Sequence, residues 1–232
     1  MKYKMLGNKV FPLVELFLQE GESVYLENGS MVYHNNELHL EGKMNSNGKT
    51  VFGKVITAFG RSMTSGEKFF ITKATGMTNT AKIAIAPAVL GAVKELSIGS
   101  TQWMLNPGSF FASDSSVIYK MKRQKISQAL FGGTGGFFVM ETSGSGTLLV
   151  NSYGDIVEVI LDGSKSFVID NQHIVAWTSS LDYRIKAGSG LLGIKTGEGL
   201  INEFQGEGTV LVQTRNLEVL ASLLMPFINV EE

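Results

Sequence analysis

Few residues in this chain of 232 could do chemistry. Its three histidines are His34, His39 and His173. A metal site of the β-roll kind would need two of them on one strand face, beside a carboxylate. His34 and His39 stand five positions apart, which puts them on opposite faces of a continuous strand, and Asn35-Asn36 between them reads as a turn. No metal site is expected. Three glutamates recur at matching points, in Val14-Glu15-Leu16, Lys94-Glu95-Leu96 and Val157-Glu158-Val159. Brought together, they could move protons as an acid–base pair. The plainer expectation is an outward strand residue facing a basic partner such as Lys120 or Arg184. No serine, histidine and aspartate grouping and no GxSxG run occurs, so the acyl-transfer machinery those patterns mark is missing. The chain is expected to hold no catalytic residue and no cofactor, and not to be an enzyme.

Two glycine-containing runs suggest anion binding and fail on spacing. Asn47-Gly48-Lys49-Thr50 ends like a phosphate loop, but Lys43 occupies the position where that loop needs its first glycine. Val51-Phe52-Gly53-Lys54-Val55-Ile56 then reads as strand, so the helix dipole that holds a phosphate is missing. Phe131-Gly132-Gly133-Thr134-Gly135-Gly136-Phe137-Phe138 could offer bare N–H groups. Its counterpart near Gly197-Glu198-Gly199 places an acid there, which favours a strand entry. Lys120-Met121-Lys122-Arg123-Gln124-Lys125 is the densest basic run. It lacks interleaved aromatic residues for base stacking, so nucleic acid is not expected as a partner. In an oligomer it could form a patch facing anionic lipid.

The elements that would position these residues are strands, and they come in copies. Leu26-Glu27-Asn28-Gly29-Ser30-Met31-Val32-Tyr33, Leu105-Asn106-Pro107-Gly108-Ser109-Phe110-Phe111-Ala112 and Ile169-Asp170-Asn171-Gln172-His173-Ile174-Val175-Ala176 say nearly the same thing. Self-similarity of this kind marks a structural unit used several times. Each copy opens on a strand carrying the recurring glutamate, then a second strand reaches the shared turn, where Gly29 and Gly108 are expected to supply positive φ. Ala112 to Lys120 lies over Ala176 to Arg184, so Tyr119 matches Tyr183. A hairpin with Gly144-Ser145-Gly146 lies over one with Gly206-Glu207-Gly208. The first copy has a looser hairpin at Gly66-Glu67-Lys68-Phe69-Phe70, with its extra length expected in a loop from Glu41 to Thr50 and near Thr78 to Thr80. The boundaries read 1–91, 92–155 and 156–232, each a β repeat.

Helical signals are confined to two places. Gln124 to Leu130 stops at Gly132-Gly133, and Asn216 can cap Leu217 to Leu224 ahead of Pro226. The apolar segment Leu217 to Phe227 is expected to pack on a neighbour, with a membrane surface as the alternative. Short strands with many glycines indicate an all-β protein.

The bulk numbers agree. Hydrophobic residues make up 44% and charged residues 18% of the chain, a composition rich in core that excludes disorder and favours buried subunit contacts. A net charge of −1 creates no global field for a polyanion. The absence of cysteine removes disulfides and thiolate chemistry. The opening residues lack a secretory apolar run, and Ile83 to Val93 is interrupted by Pro87 and Gly91. A cytoplasmic location is the default expectation.

Several spaced motifs, namely Gly29-Ser30-Met31-Val32-Tyr33, Gly66-Glu67-Lys68-Phe69-Phe70, Ala86-Pro87, Phe131-Gly132-Gly133 and Gly197-Glu198-Gly199-Leu200 through Gln213-Thr214-Arg215, occur in an order that resembles the altered-inheritance-of-mitochondria family. The resemblance covers essentially the whole chain. It implies the tryptophan-RNA-binding-attenuator-like fold of bacterial members, as a triplicated double-stranded β-helix unit in a ring-like arrangement, with no established catalysis. Mitochondrial relatives are implicated in inner-membrane organisation. Glycine-glutamate-glycine is complete only at Gly197-Glu198-Gly199, so a site built on that motif would sit in the third copy. The attenuator's ligands do not transfer by fold alone.

The resulting expectation is an all-β protein of three short double-stranded β-helix units, or β-sandwiches, about a pseudo-threefold axis, with one or two short helices. It would act as a homo-oligomeric scaffold, with a protein or peripheral-membrane partner. The alternative is a small-ligand module whose pocket between repeats is lined by Trp103, Tyr119, Trp177, Tyr183 and Glu198.

Overall fold

Alternation of side chains decides the strands. Pro-Leu-Val-Glu-Leu-Phe-Leu at 12–18 buries every second residue, Val14, Leu16 and Leu18 among them, and leaves Glu15 between them on the other face. The computed structural model describes residues 1–46, 49–50, 69–123, 138–187 and 199–228. In chain order its first strands are β1 (Lys2–Gly7), β2 (Pro12–Leu18), β3 (Ser23–Glu27), β4 (Met31–His34), β5 (Leu38–Ser46), β6 (Lys49–Thr50), β7 (Phe69–Gly76) and β8 (Ala81–Ile85). Then come β9 (Val93–Ile98), β10 (Trp103–Leu105), β11 (Phe110–Asp114), β12 (Val117–Arg123), β13 (Phe138–Gly144) and β14 (Gly146–Asn151). The last are β15 (Ile156–Asp162), β16 (Phe167–Asp170), β17 (Ile174–Thr178), β18 (Asp182–Ala187), β19 (Leu200–Gln205) and β20 (Glu207–Gln213), followed by helix α1 (Leu217–Leu224). The described residues are all-β apart from this short helix and three single 3₁₀ turns.

One pairing scheme serves each set of strands. In the middle set β12 pairs β13, β13 pairs β10, β11 pairs β14 and β14 pairs β9, all antiparallel. In the last set β18 pairs β19, β19 pairs β16, β17 pairs β20 and β20 pairs β15. In the first set β5 pairs β7, β7 pairs β3, β4 pairs β8 and β8 pairs β2, with β1 added outside β2 and β6 outside β5. Even the irregularity recurs. A register shift falls between Met31 and Tyr33, between Phe110 and Ala112, and between Ile174 and Ala176. A bulge repeated at one position is a built feature that turns an extra side chain out of the ladder.

Two further pairings join the sets. β3 lies on β11, with Leu26 opposite Ala112 and Tyr25 opposite Ser113. β10 lies on β17, with Leu105 opposite Ala176 and Met104 opposite Trp177. The joined strands make sheets of seven and six, whereas β4 and β16 are left as outer strands of separate sheets of four and three. An arrangement about an axis closed inside one chain would need a third junction, between β16 and β4. The described pairings do not contain it.

The junctions are where the core forms. The bulge residue Phe111 is fully buried in the cluster of Val14, Leu16, Leu26 and Ile83 from the first set. Val175, its counterpart one set later, is fully buried among Leu105, Met140 and Leu148 of the middle set. In return Tyr25 packs against the middle-set cluster and Met104 joins that of Trp177 and Phe204. The first and middle sets therefore each close their apolar interior with a strand lent by the next.

Several expectations change. Gly29 has φ +82, as its turn requires, but Gly108 does not need positive φ. It sits in a 3₁₀ turn, Pro107–Ser109, whose cap is the Asn106 side chain accepting the Gly108 N–H. Asp170 caps Asn171–His173 in the same way through the Gln172 N–H. The repeated Asn/Asp therefore explains these turns better than the glycine does. The expected loop from Glu41 is strand through Ser46, because β7 supplies a partner for every residue from Leu38 to Asn45. The Asn35-Asn36 turn is present, with Asn36 at φ +62. Asn216 caps α1 through Oδ1, which accepts from the N–H groups of Glu218 and Val219. The expected helix from Gln124 to Leu130, the run Phe131 to Phe137, and Gly66-Glu67-Lys68 lie outside the described residues.

Candidate functional site

The three glutamates are separated by the topology. Glu15, Glu95 and Glu158 belong to β2, β9 and β15, which lie in three different sheets. Each is already engaged. Glu15 accepts from the Tyr33 hydroxyl at 2.8 Å and pairs with Lys82 at 3.1 Å. The tyrosine first and the lysine second hold its carboxyl below the usual range, while that same carboxylate pushes Tyr33 up. Glu95 accepts from the Tyr3 hydroxyl, and burial followed by this bond raises Tyr3 to about 12. Glu158 pairs with Lys94 at 2.7 Å. The partners expected for them stand elsewhere in the strand register, Arg184 opposite Glu203 and Lys120 opposite Glu141. Acid–base work by the three together has no geometry to support it.

The histidines are likewise spent on the backbone and one neighbour. His34 Nδ1 accepts from the Asn36 N–H, His173 Nδ1 donates to the Gln213 carbonyl at 2.7 Å, and His39 Nε2 lies 3.2 Å from Glu41. No group of three or more potential metal-binding His, Asp or Glu residues occurs among the described residues. In the basic run, Lys122 is paired with Glu141.

The aromatic candidates fall into two places. Trp103 and Tyr119 are both buried in the middle-set core, Tyr119 edge-on to Phe110 with ring centroids 5.2 Å apart. Burial drives the Tyr119 hydroxyl far above its ordinary pKa. Trp177 and Tyr183 meet edge to face at 4.8 Å, and Phe204 completes the group at 5.6 Å from Trp177. These two line a cleft of about 210 Å³ between the middle and last sets, which Asn106, Val139, Asn171, Ile174 and Asn202 also reach. Glu198 lies outside the described residues. The described lining carries amides and apolar groups and no charge, so it suits an uncharged molecule and not an anion.

Two polar atoms at this cleft are unmatched. Trp177 and Asn202 are each 2% exposed, and Trp177 Nε1 and Asn202 Oδ1 find no hydrogen-bond partner among the described residues. Asn202 spends its Nδ2 on Asn171 Oδ1 at 2.9 Å. A buried donor or acceptor left in this way costs about 1–3 kcal/mol. Asn202 carries no signal in the sequence, since it occupies an inward strand position that alternation assigns to an apolar side chain.

A part-buried polar pair lies at the first junction. Glu27, at the end of β3, accepts from Asn151 Nδ2 at 3.1 Å. Burial raises its carboxyl to about 7, against a smaller lowering from Asn151. At acid pH both folded and unfolded chains hold the proton. As pH climbs from the unfolded carboxylate range through about 7, the unfolded chain ionises first, so stability falls with rising pH. Glu27→Gln keeps a neutral amide in place of the acid. Its unfolding temperature should match that of the parent near the acid end of this window and exceed it above pH 7. The gain corresponds to about 1–2 kcal/mol after allowance for solvent screening at a partly exposed group. Thermal melts of both proteins across the window measure it.

The fold and site define an all-β protein of antiparallel sheets of three to seven strands, with an uncharged cleft and no assembled catalytic group among the described residues. Residues 3–215 match the family model described as mitochondrial biogenesis AIM24, and the chain belongs to that family. It is 47% identical over 229 residues to an uncharacterized protein of Streptococcus pyogenes serotype M6, covering 98% of this chain and 91% of that one. It is also similar to a protein from Streptococcus pyogenes solved by X-ray crystallography. The TM-score is 0.78 at 44% identity, over 98% of this chain and 99% of the other.

Proposed function

We propose that this chain is a non-enzymatic scaffold of three homologous units that works as a homo-oligomer. The observation that supports the reading best is the placement of its exposed apolar side chains. More than half of them lie on β4 (Met31, Val32, Tyr33), on β16 (Phe167, Val168) and on α1 and the turn after it (Leu217, Val219, Leu223, Leu224, Met225, Phe227), while the others, Phe11, Leu90, Ile118 and Ile160 among them, are spread over other strands and loops. Concentrated apolar surface on a folded chain marks a surface to be covered. Helix α1 buries no residue. Leu217 to Ile228 contains no lysine or arginine, which favours a protein cover over an anionic membrane surface. No helix among the described residues is long and apolar enough to cross a membrane. Sedimentation velocity at micromolar concentration tests the reading. A species of several times 25.2 kDa is expected, and a persistent monomer would overturn it.

A second reading, a small-ligand module, is favoured by the unmatched Trp177 Nε1 and Asn202 Oδ1 beside the cleft. An uncharged planar amide such as benzamide offers an acceptor for the indole N–H and a donor for the amide oxygen. A saturable shift of the Trp177 indole proton resonance on titration supports it. An unmoved resonance in millimolar benzamide counts against it.

A further inference from the structure

We propose that β16 of one copy pairs antiparallel with β4 of the next, joining copies head to tail through the same junction that the chain makes twice internally. This rests on the oligomeric reading above and names its interface. The template is β3 on β11 and β10 on β17. In the repeated motif Leu26, Leu105 and Ile169 correspond, and so do Tyr33, Ala112 and Ala176. The shared bulge confirms the second alignment, since Tyr33, Ala112 and Ala176 pair with Ala84, Leu149 and Leu211 on the neighbouring strand in each set. Leu26 faces Ala112 and Leu105 faces Ala176. The rule then sets Ile169 opposite Tyr33 of the second copy and Val168 opposite its His34.

Burial points the same way. β11 and β17 are buried along nearly their whole length, while their counterpart β4 is exposed. Phe111 and Val175 are 0% exposed at the bulge position, and Val32 is 51% exposed. On the other strand Met104 is buried and Tyr25 packs on the middle-set core, whereas Val168 is again 51% exposed. Two apolar side chains that internal junctions sink into a neighbouring core are thus left in solvent on opposite terminal sets. An open strand edge is a template for another strand, and register follows the side chains that must be buried. The occupant that fits both edges at once is a second copy of this chain. The new junction also differs from the internal ones in being more polar, because the Tyr33 hydroxyl is held by Glu15 and Lys82 lies over its ring. That suits a surface that must stay soluble before assembly. The contact is heterologous, so it generates a ring or a filament and not a twofold dimer.

The absence of native cysteine makes a clean test. Full-length chains carrying only Val168→Cys or only His34→Cys are oxidised separately and as a mixture. Directly opposed antiparallel residues place Cβ atoms within disulfide reach. The expected result is a band of doubled mass on a non-reducing gel in the mixture and none in either chain alone. A band from His34→Cys alone, which would signal twofold pairing, overturns the inference, as does its absence in the mixture while wild-type chain sediments as an oligomer. A monomeric wild type would instead remove the oligomeric reading itself. Val168→Lys, at an exposed position, supplies an independent check. It should shift the sedimenting species toward the monomer with unchanged circular dichroism, and an unshifted species counts against the interface.

Discussion

Phe111→Ala is expected to lower the free energy of unfolding by about 3–5 kcal/mol, the usual range for deleting a fully buried phenylalanine. The reason lies in whose core it fills. Phe111 belongs to β11, yet its ring is sealed among Val14, Leu16, Leu26 and Ile83 of the preceding set. Neither side can close the resulting cavity without shifting a whole sheet, because the register of Leu26 on Ala112 fixes their spacing. Urea unfolding measures it as a lower midpoint with unchanged slope. The comparison with Val32→Ala sharpens the result. Val32 holds the same bulge position but is half exposed, so dilute chain should lose no more than about 0.5 kcal/mol. The assembled protein should lose more, through weaker association. Comparable losses from Phe111→Ala and Val32→Ala in dilute chain would contradict the junction account.

The second large effect is expected at Gly91. A methyl group there would lie 1.9 Å from the Ser152 carbonyl oxygen and 2.5 Å from that of Gly154. Both are backbone atoms and cannot swing away. They also belong to a hydrogen-bonded contact between the two connecting segments: Gly154 N–H donates to Leu90, Ala92 N–H to Gly154, and Ser152 N–H to Ala92. Gly91 and Gly154 form an isolated parallel bridge at its centre. Gly91→Ala therefore forces apart the segments that carry the chain from the first set to the second and from the second to the third. A loss of about 3 kcal/mol or more is expected, at the upper end of overpacking costs. Urea unfolding reads the loss directly. A parent-like midpoint would show that the connecting segments are not held together.

Much of this architecture was legible in the chain. Period-two alternation located β2, β9 and β15, and the repeated turn sequence located the joints between the second and third strands of each set. Asn216 announced α1. What one sequence could not show was non-local pairing. Nothing near Leu26 says that its partner is Ala112, or that Phe111 belongs to a core assembled mostly from residues before position 86. The same limit shows in the three glutamates, two of which do meet a lysine, though Lys82 and Lys94 in place of Lys120 or Arg184. Their recurrence is real, but their partners Lys82, Tyr3 and Lys94 come from three different structural contexts, so the repeat did not predict a repeated ion pair. The four aromatic candidates looked equivalent because Tyr119 and Tyr183 align. Packing divides them, since Trp103 and Tyr119 belong to the middle-set core while the buried Trp177 and the half-buried Tyr183 line the cleft. Neither the half-buried Glu27 nor the buried Asn202 is marked in the sequence, because the surroundings of a polar strand residue are visible only once its neighbours are known.

The central claim is that the chain is an open row of joined units completed by another copy at β4 and β16. Amide hydrogen exchange as a function of protein concentration tests it most directly, because an added strand ties up the outward-facing N–H groups of an edge. On dilution, amides in 31–34 and 167–170 should pass together from protected to freely exchanging. The internal junction strands 110–114 and 174–178 should stay protected throughout. Fast exchange in both edge segments at every concentration, in protein that sediments as an oligomer, would contradict the account.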